Sequence, residues 1–309
     1  MDIRQLRYFL AIVKEEQITR AAKTLNMEQP PLSRQLKLME QELGLKLFDR
    51  DKKQLHLTQA GSVLEKKAKS LLYQLEETMT EIKEINLGIS GILSIGSAFS
   101  CVSLLPLPIK KFQAQYPHVT FKILEGDQSI LSEYLQDRVI ELGVTRLPFE
   151  SNHDADSYSI APLTADPFVL VLPQQWSLSK SRKSIPIKEI MDLPLLSLKS
   201  DKTTKLHEKI VAECRRYGFE PKIIGECSSV AIIISLVVAG IGATILPKSV
   251  MSSFPISEID MLDISDTSFL SEVGVVWLQN RYLSKSARHF IELLQDIDEA
   301  LPSTSPEID

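Results

Sequence analysis

Three clusters of polar side chains in this 309-residue chain have types and spacings suited to recognition chemistry. The first is Gln29, Ser33, Arg34 and Lys37, with Thr19 and Arg20 a short way upstream. A guanidinium or carboxamide carried near a helix start can meet paired groups on a base edge, and a cation beside it can meet a phosphate. The second cluster is Arg50, Lys52 and Lys53, whose charges suit phosphates, which fix register without carrying sequence information. The third is dispersed: Ser97, Ser100, Asp127, Thr145, Arg146, Lys199, Thr203, Thr204 and Val230 each follow an apolar, strand-like run or open a helix. In open α/β sheets ligands sit beyond the carboxyl ends of strands, often at helix N-termini. Hydroxyls and free N–H groups there suit a carboxylate or phosphate, and Arg146 could grip an anion with two parallel hydrogen bonds. Each group also has a plainer use. Ser, Thr and Asp at helix starts are caps, and Arg146 could instead pair with an acidic residue across a cleft.

The elements that must position the first cluster are two short helices over 18–37. Ala21, Ala22 and Leu25 give the first a small apolar face, and Asn26 to Gln29 break it. Pro30 and Pro31 suit the opening turn of the second, where a missing N–H costs nothing. Leu32, Leu36, Met39 and Leu43 recur at helical spacing, and Gly44 stops the helix. This is the layout of a helix-turn-helix, with polar residues near the second helix start reaching the major groove. Ile3, Leu6, Phe9, Leu10 and Val13 predict an amphipathic first helix that covers the pair. Leu47–Arg50 and Gln54–Leu57 alternate apolar and polar residues, which predicts a β-hairpin wing with Arg50, Lys52 and Lys53 near its tip; the plainer reading is a solvated turn. Thr58 to Asn86 reads as one long helix. Leu64, Ala68, Leu71, Leu75, Met79 and Ile82 form a stripe with steps of three and four, as in a two-stranded coiled coil. The plainer reading, packing on its own domain, finds no obvious partner for so long a stripe. Beyond Gly88–Gly91 strands and helices alternate, as in an α/β domain with mostly parallel sheets. The tail after Pro302 is polar and expected to be disordered.

The run Ala21-Ala22, Leu25, Gln29-Pro30, Leu32-Ser33-Arg34-Gln35, Glu40, Leu43-Gly44, Leu47-Phe48-Asp49-Arg50 and Leu57-Thr58-Gln59-Ala60-Gly61 resembles the LysR-type transcriptional regulators. Two positions depart from that pattern. Glu28 stands where a Ser or Thr commonly caps the recognition helix, and Gln17-Ile18 replaces a common Ser-Phe. The resemblance continues more loosely through Gly91–Gly96, Leu104-Leu105-Pro106, Tyr116-Pro117, Arg146-Leu147-Pro148, Val237–Gly242 and Leu246-Pro247. It implies a winged helix-turn-helix over 1–58, a linker and dimerisation helix over 59–88, and an effector-binding domain over 89–301. That domain would have two α/β lobes like those of periplasmic binding proteins, one about 91–161 plus 267–301 and the other about 162–266, with a flexible tail over 302–309. It also implies a homodimer or homotetramer, a promoter DNA site with imperfect inverted-repeat symmetry, a small-molecule effector between the lobes, and RNA polymerase as a further partner.

Composition agrees without deciding the matter. Residues 1–69 hold 14 Lys and Arg against 9 Asp and Glu, while the rest of the chain holds 21 against 31. A basic head on an acidic body fits a nucleic-acid module joined to something else, although so small an excess is also ordinary surface variation. There is no G-x-S-x-G, P-loop or H-E-x-x-H motif, and His56, His118, His153, His207 and His289 are scattered, so no catalytic residue, cofactor or metal is assigned. Cys101, Cys214 and Cys227 show no metal or disulfide spacing, which points to a reducing cytosol. Cys101 in the third cluster reads as a redox switch or as a buried, inert thiol. No signal peptide is expected from Met1–Arg4, and the apolar run Val230–Leu246 is too short and broken for a membrane span. The reading that follows is a DNA-binding transcriptional regulator controlled by a small organic anion. The alternatives are a soluble small-molecule-binding protein without DNA function and, third, an enzyme.

Overall fold

A computed structural model describes residues 1–50, 55–87, 89–150, 157–176, 178, 182–199, 204–254, 256–279 and 281–300. Lys52, Lys53, Thr203, Gly88 and the tail 302–309 lie outside the described residues, as does the side chain of Arg50. The chain divides into two compact units, residues 1–86 with 137–139, and 87–136 with 140–309.

In the first unit, α1 (Ile3–Glu15) begins at a capping box. The Asp2 carboxylate accepts the Gln5 N–H at 2.8 Å, and the Gln5 side chain accepts the Asp2 N–H at 3.0 Å. α2 (Ile18–Thr24) and α3 (Gln29–Leu43) follow. Glu28 makes no side-chain cap bond to α3, as its departure from Ser or Thr implies, and the two prolines fall in the helix's first turn. Gly44 ends α3 at φ 68°, a conformation that side chains with a Cβ disfavour. Phe9, Ile12, Ala21, Ala22, Leu32, Leu36 and Met39 make the core with Leu47 and Phe48. The small alanines are buried where α1, α2 and α3 meet. β1 (Phe48–Arg50) pairs antiparallel with β2 (Leu55–Leu57), Phe48 opposite Leu57, so the wing is a hairpin. α4 (Gln59–Leu87) starts where Thr58 accepts the Gly61 N–H at 3.0 Å and donates to the Lys46 carbonyl at 2.7 Å. A Cβ on Gly61 would lie 2.2 Å from the Leu47 carbonyl oxygen, so only glycine allows this close approach. Along α4, Leu64 packs on the head's core and Ala68 is buried, whereas Leu71, Met79 and Ile82 stand about half exposed.

The second unit is an α/β domain with two cores. Lobe one joins β3 (Gly91–Ser97), β4 (Val119–Glu125) and β5 (Leu142–Arg146) in parallel, with α5 (Pro106–Gln115), α6 (Gln128–Gln136) and α9 (Lys285–Ala300). Lobe two joins β8 (Leu195–Leu198), β9 (Ile223–Cys227) and β10 (Ala243–Pro247) in parallel, with α7 (Lys205–Arg216) and α8 (Val230–Val238). The parallel expectation holds within each lobe and gives way at β6 (Tyr158–Pro173) and β12 (Leu270–Leu278). These run antiparallel to each other, and β12 to β5 and β6 to β10. β11 (Ile259–Ser265) also pairs antiparallel with β6, and β7 (Ser184–Pro186) lies parallel to β11. The sequence shows only Phe168–Leu172 as a strand because Pro162, Thr164, Asp166 and Pro167 interrupt the apolar pattern before it. β6 is nonetheless continuous. It pairs with β12 up to Pro167 and with β10 and β11 from Phe168, so the crossover falls later than the 161/162 division.

One charge ties the head together. Glu40, 7% exposed near the end of α3, pairs with Lys46 at 2.8 Å and accepts the Leu47 N–H at 3.0 Å. Burial alone would raise its pKa, but the Lys46 ammonium and the Leu47 amide outweigh that and hold it below the usual carboxylate range. A lowered folded pKa gives stability that is present above the ordinary carboxylate range and is lost as pH falls through the lowered value. Glu40→Gln should therefore cost the head about 1 kcal/mol at neutral pH, read as roughly fivefold faster amide exchange in its core. The difference from wild type should shrink below about pH 4; an undiminished difference in acid would remove the charge from the explanation.

Candidate DNA-reading helix and ligand cleft

α3 presents two faces. Leu32, Leu36 and Met39 are buried, while Gln29, Pro30, Pro31, Arg34 and Lys37 are exposed and Ser33 is half-buried between them. Neither Arg34 nor Lys37 has an ion-pair partner among the described residues. Two cations and a carboxamide thus stand unpartnered along one face, an arrangement that favours a polyanion and leaves donors free for base edges. On α2, Thr19 is exposed. Arg20 instead turns its guanidinium to the Glu15 carbonyl, at 2.6 Å and 3.1 Å, and so closes the C-terminal end of α1.

The second unit holds a cavity of about 480 Å³ between its lobes. That is within the range of about 300–1,000 Å³ usual for small-molecule sites. The ends of β3, β4 and β5 supply one wall, with Ser100, Asp127, Thr145 and Arg146; the start of α7 supplies the other, with Thr204, Lys205 and Lys209. Asp127 accepts the Ile130 N–H at 2.8 Å and thereby caps α6. Thr145 is fully buried, and its hydroxyl has no hydrogen-bond partner among the described residues. Three members of the sequence-derived set lie elsewhere. Ser97 turns its hydroxyl onto the Ala98 carbonyl at 3.1 Å, Lys199 pairs with Glu226 at 2.7 Å, and Val230 lines a separate cavity.

Arg146 is held by the protein itself. Nη1 meets Asp166 at 2.9 Å, Nη2 donates to the Ser100 carbonyl at 2.6 Å and to Ser249 at 3.3 Å, and Nε donates to the Ser100 hydroxyl at 3.3 Å. Asp166 in turn accepts the Ser249 N–H at 3.0 Å and its hydroxyl. Both side chains of the ion pair are about nine-tenths buried. Of the two uses open to Arg146 in the sequence, pairing with an acid is the one realised. Cys101 lies in the same region, where burial pushes its thiol up against the opposing pull of Arg146, which fits an unreactive sulfur.

The cleft's other charges follow from α7. Lys205 pairs with Glu150 at 2.7 Å, which raises the lysine's pKa, but both groups are largely exposed and the bond is weak. Lys209, one turn on, is exposed, lines the cavity and has no ion pair among the described residues. Sequence reasoning overlooked Lys205, Lys209, Gln128 and Phe99. The lysines' four-residue spacing on one helix face was the available signal. Gln128 had none: its amide donates to the Arg146 and Pro148 carbonyls at 2.7 Å and 3.1 Å and so fixes that loop.

One pair resembles a catalytic dyad. The Ser197 hydroxyl lies 2.7 Å from His207 Nδ1, a meeting that spacing could not show. The space beside it is about 10 Å³ with otherwise apolar walls, too small for a substrate. Among the described residues no group of three or more His, Cys, Asp and Glu could hold a metal ion, and no helix is long and apolar enough to cross a membrane.

Comparison with known proteins places both units. Residues 3–62 match the family model described as bacterial regulatory helix-turn-helix protein, lysR family, and residues 87–298 match the LysR substrate binding domain. The chain is 37% identical over 294 residues to the HTH-type transcriptional regulator BsdA of Bacillus subtilis, covering 95% of this chain and 100% of that protein. It is 32% identical to the HTH-type transcriptional regulator AlsR of the same organism, covering 82% and 83%. The crystal structure of full-length CbnR complexed with its target DNA shares the fold, with a TM-score of 0.79 at 22% identity over 96% of this chain and 99% of that one.

Removing the guanidinium would leave Asp166 buried and unpaired. Arg146→Ala should therefore lower the stability of the second unit by about 3 kcal/mol, measured as a shift in its urea midpoint. An unchanged midpoint would show that the pair adds nothing to the fold.

Proposed function

Because the chain belongs to the LysR family of DNA-binding transcriptional regulators, we propose that Gln29, Ser33 and Arg34 on α3 read base edges in the major groove while Lys37 and the wing meet phosphates. The observation that carries this reading is the exposed row of Gln29, Arg34 and Lys37, without partners among the described residues, opposite a buried apolar face. Pro30 and Pro31 set the entry of the helix. Leu71, Met79 and Ile82 leave an apolar stripe on α4 that a second copy would cover, with Leu75 between them. Leu64, partly buried against the head's core, and Ala68, which is buried, contribute less. Two heads joined in this way call for a DNA site with inverted-repeat symmetry. RNA polymerase is the further partner at a promoter, and the cytosol the compartment.

We propose further that the 480 Å³ cleft takes an organic anion. Its charges support this by subtraction. Arg146 is matched by Asp166, Lys205 by Glu150, and Asp127 caps α6, which leaves Lys209 and the start of α7 facing the cavity. Among the described residues Thr204 makes no side-chain cap bond, and a carboxylate at the start of α7 would meet its hydroxyl and the helix N-terminus. Ser100 and Thr145 complete the opposite wall. A ligand that meets both walls can shift the lobes, and through them the heads, only by preferring one arrangement.

Two outcomes are expected. Arg34→Ala should weaken binding to a selected site about tenfold or more, corresponding to about 1–3 kcal/mol, and binding to bulk DNA much less; equal losses in a gel-shift titration would make Arg34 a phosphate contact. A panel of small organic acids should include one that raises the melting temperature of the wild-type chain but not of Lys209→Ala, with the unliganded stabilities equal. Stabilisation of wild type by uncharged compounds alone would overturn the anion assignment.

A further inference from the structure

One ion pair crosses the large cleft. Glu150, in the loop after β5, belongs to lobe one, and Lys205, the first residue of α7, belongs to lobe two. Oε1 and Nζ lie 2.7 Å apart, and both residues line the cavity. The backbone that carries Glu150 is held in place. The Gln128 side chain donates to the Arg146 and Pro148 carbonyls at 2.7 Å and 3.1 Å, and it accepts the Glu150 N–H at 3.2 Å. One amide thus fastens the loop from Arg146 to Glu150 onto the start of α6, and the carboxylate meets the opposite wall. Both charges are largely exposed, and an exposed pair of this kind adds little to folding. Its effect falls instead on what the cleft accepts.

Among the described residues, the charged side chains lining the cleft are Asp127, Arg146, Glu150, Lys205 and Lys209. Arg146 is matched by Asp166. Two carboxylates, Asp127 and Glu150, therefore remain on the lobe-one wall, and two ammonium groups, Lys205 and Lys209, on α7. With Lys205 taken by Glu150, a ligand finds one unmatched positive charge, and a second negative charge on it would be set against Glu150 or Asp127. Repulsion of this kind discriminates by excluding one ligand rather than by gripping the other. We propose that Glu150 is a specificity-determining residue of the cleft: by occupying Lys205 it restricts the site to singly charged anions and turns away dianions. The inference rests on the anion reading of this cleft and narrows it to one class.

The test is the affinity of the full chain for matched anions that differ by one carboxylate, butyrate against succinate and benzoate against terephthalate. Affinities are read from thermal-unfolding titrations at neutral pH and constant ionic strength. Wild type should bind the monoanion of a pair about tenfold more tightly than its dianion. Glu150→Gln should narrow that ratio to about twofold, because the freed Lys205 accepts the second carboxylate, and its unliganded melting temperature should equal that of wild type. Adding Lys205→Gln to that variant should restore the ratio to about tenfold; a ratio that stays narrow would overturn the part given to Lys205. A wild-type preference for the dianions, or a ratio unmoved by Glu150→Gln, would overturn the proposal and leave the anion reading of the cleft intact. Stabilisation by butyramide or benzamide in place of the anions, or by no probe, would overturn the anion reading itself, and this inference with it.

Discussion

A charge removed from water must be matched where it lies, and in the ligand-binding unit that requirement falls on Asp166. It sits in β6 just before the strand exchanges β12 for β10 and β11 as partners. Arg146 at the end of β5, Ser249 after β10 and, through the guanidinium, Ser100 after β3 all converge on it. Four of the guanidinium's five N–H groups can be occupied by these contacts. The network therefore joins the ends of strands from both lobes at the point where the chain crosses between them. Its cost in desolvation is offset only while every partner is in place. This also changes the chemistry of the cleft. The most strongly basic group in it is already neutralised, so the charge available to a ligand comes from α7.

The head obeys the same electrostatic rule in the opposite sense. There the buried charge, Glu40, is satisfied by Lys46 and the Leu47 amide and fixes the end of α3 to the start of the wing. Among the described residues, the cations along the exposed face of α3 are left without ion-pair partners. A surface arranged for folding alone gains little from aligned, unpaired cations, whereas a surface that meets a polyanion gains from each. α4 shows a related division. Its first turns pack into the head through Leu64, and its later apolar residues remain exposed along a stripe that the single chain does not cover.

How much of this was legible in sequence depended on how local the cause was. The helix-turn-helix, its prolines and Gly44 are written in neighbouring residues and in a motif of fixed spacing, and the lobes' parallel strands appear as short apolar runs. β12 and the first half of β6 were not legible because their residues take their environment from distant partners, and Pro162 and Pro167 mask the pattern. The cleft was legible only in outline. Strand ends and helix starts could be named, but nothing near Arg146 in sequence announces Asp166 or Ser249, and nothing near Ser97 says that its hydroxyl turns inward. The Ser197–His207 contact is likewise a product of packing. Conversely, the four-residue spacing of Lys205 and Lys209 was open to view and became meaningful only once the start of α7 was seen to line the cavity.

The measurement that tests the central claim most directly is enrichment of random duplex DNA by the full-length chain at fixed salt. A regulator that joins two copies of the α3 face should enrich an imperfect inverted repeat, with half-sites separated by a whole number of helical turns. Enrichment of a single half-site would contradict pairing of the heads. Retention of bulk DNA without any enriched sequence would contradict base reading by α3 altogether.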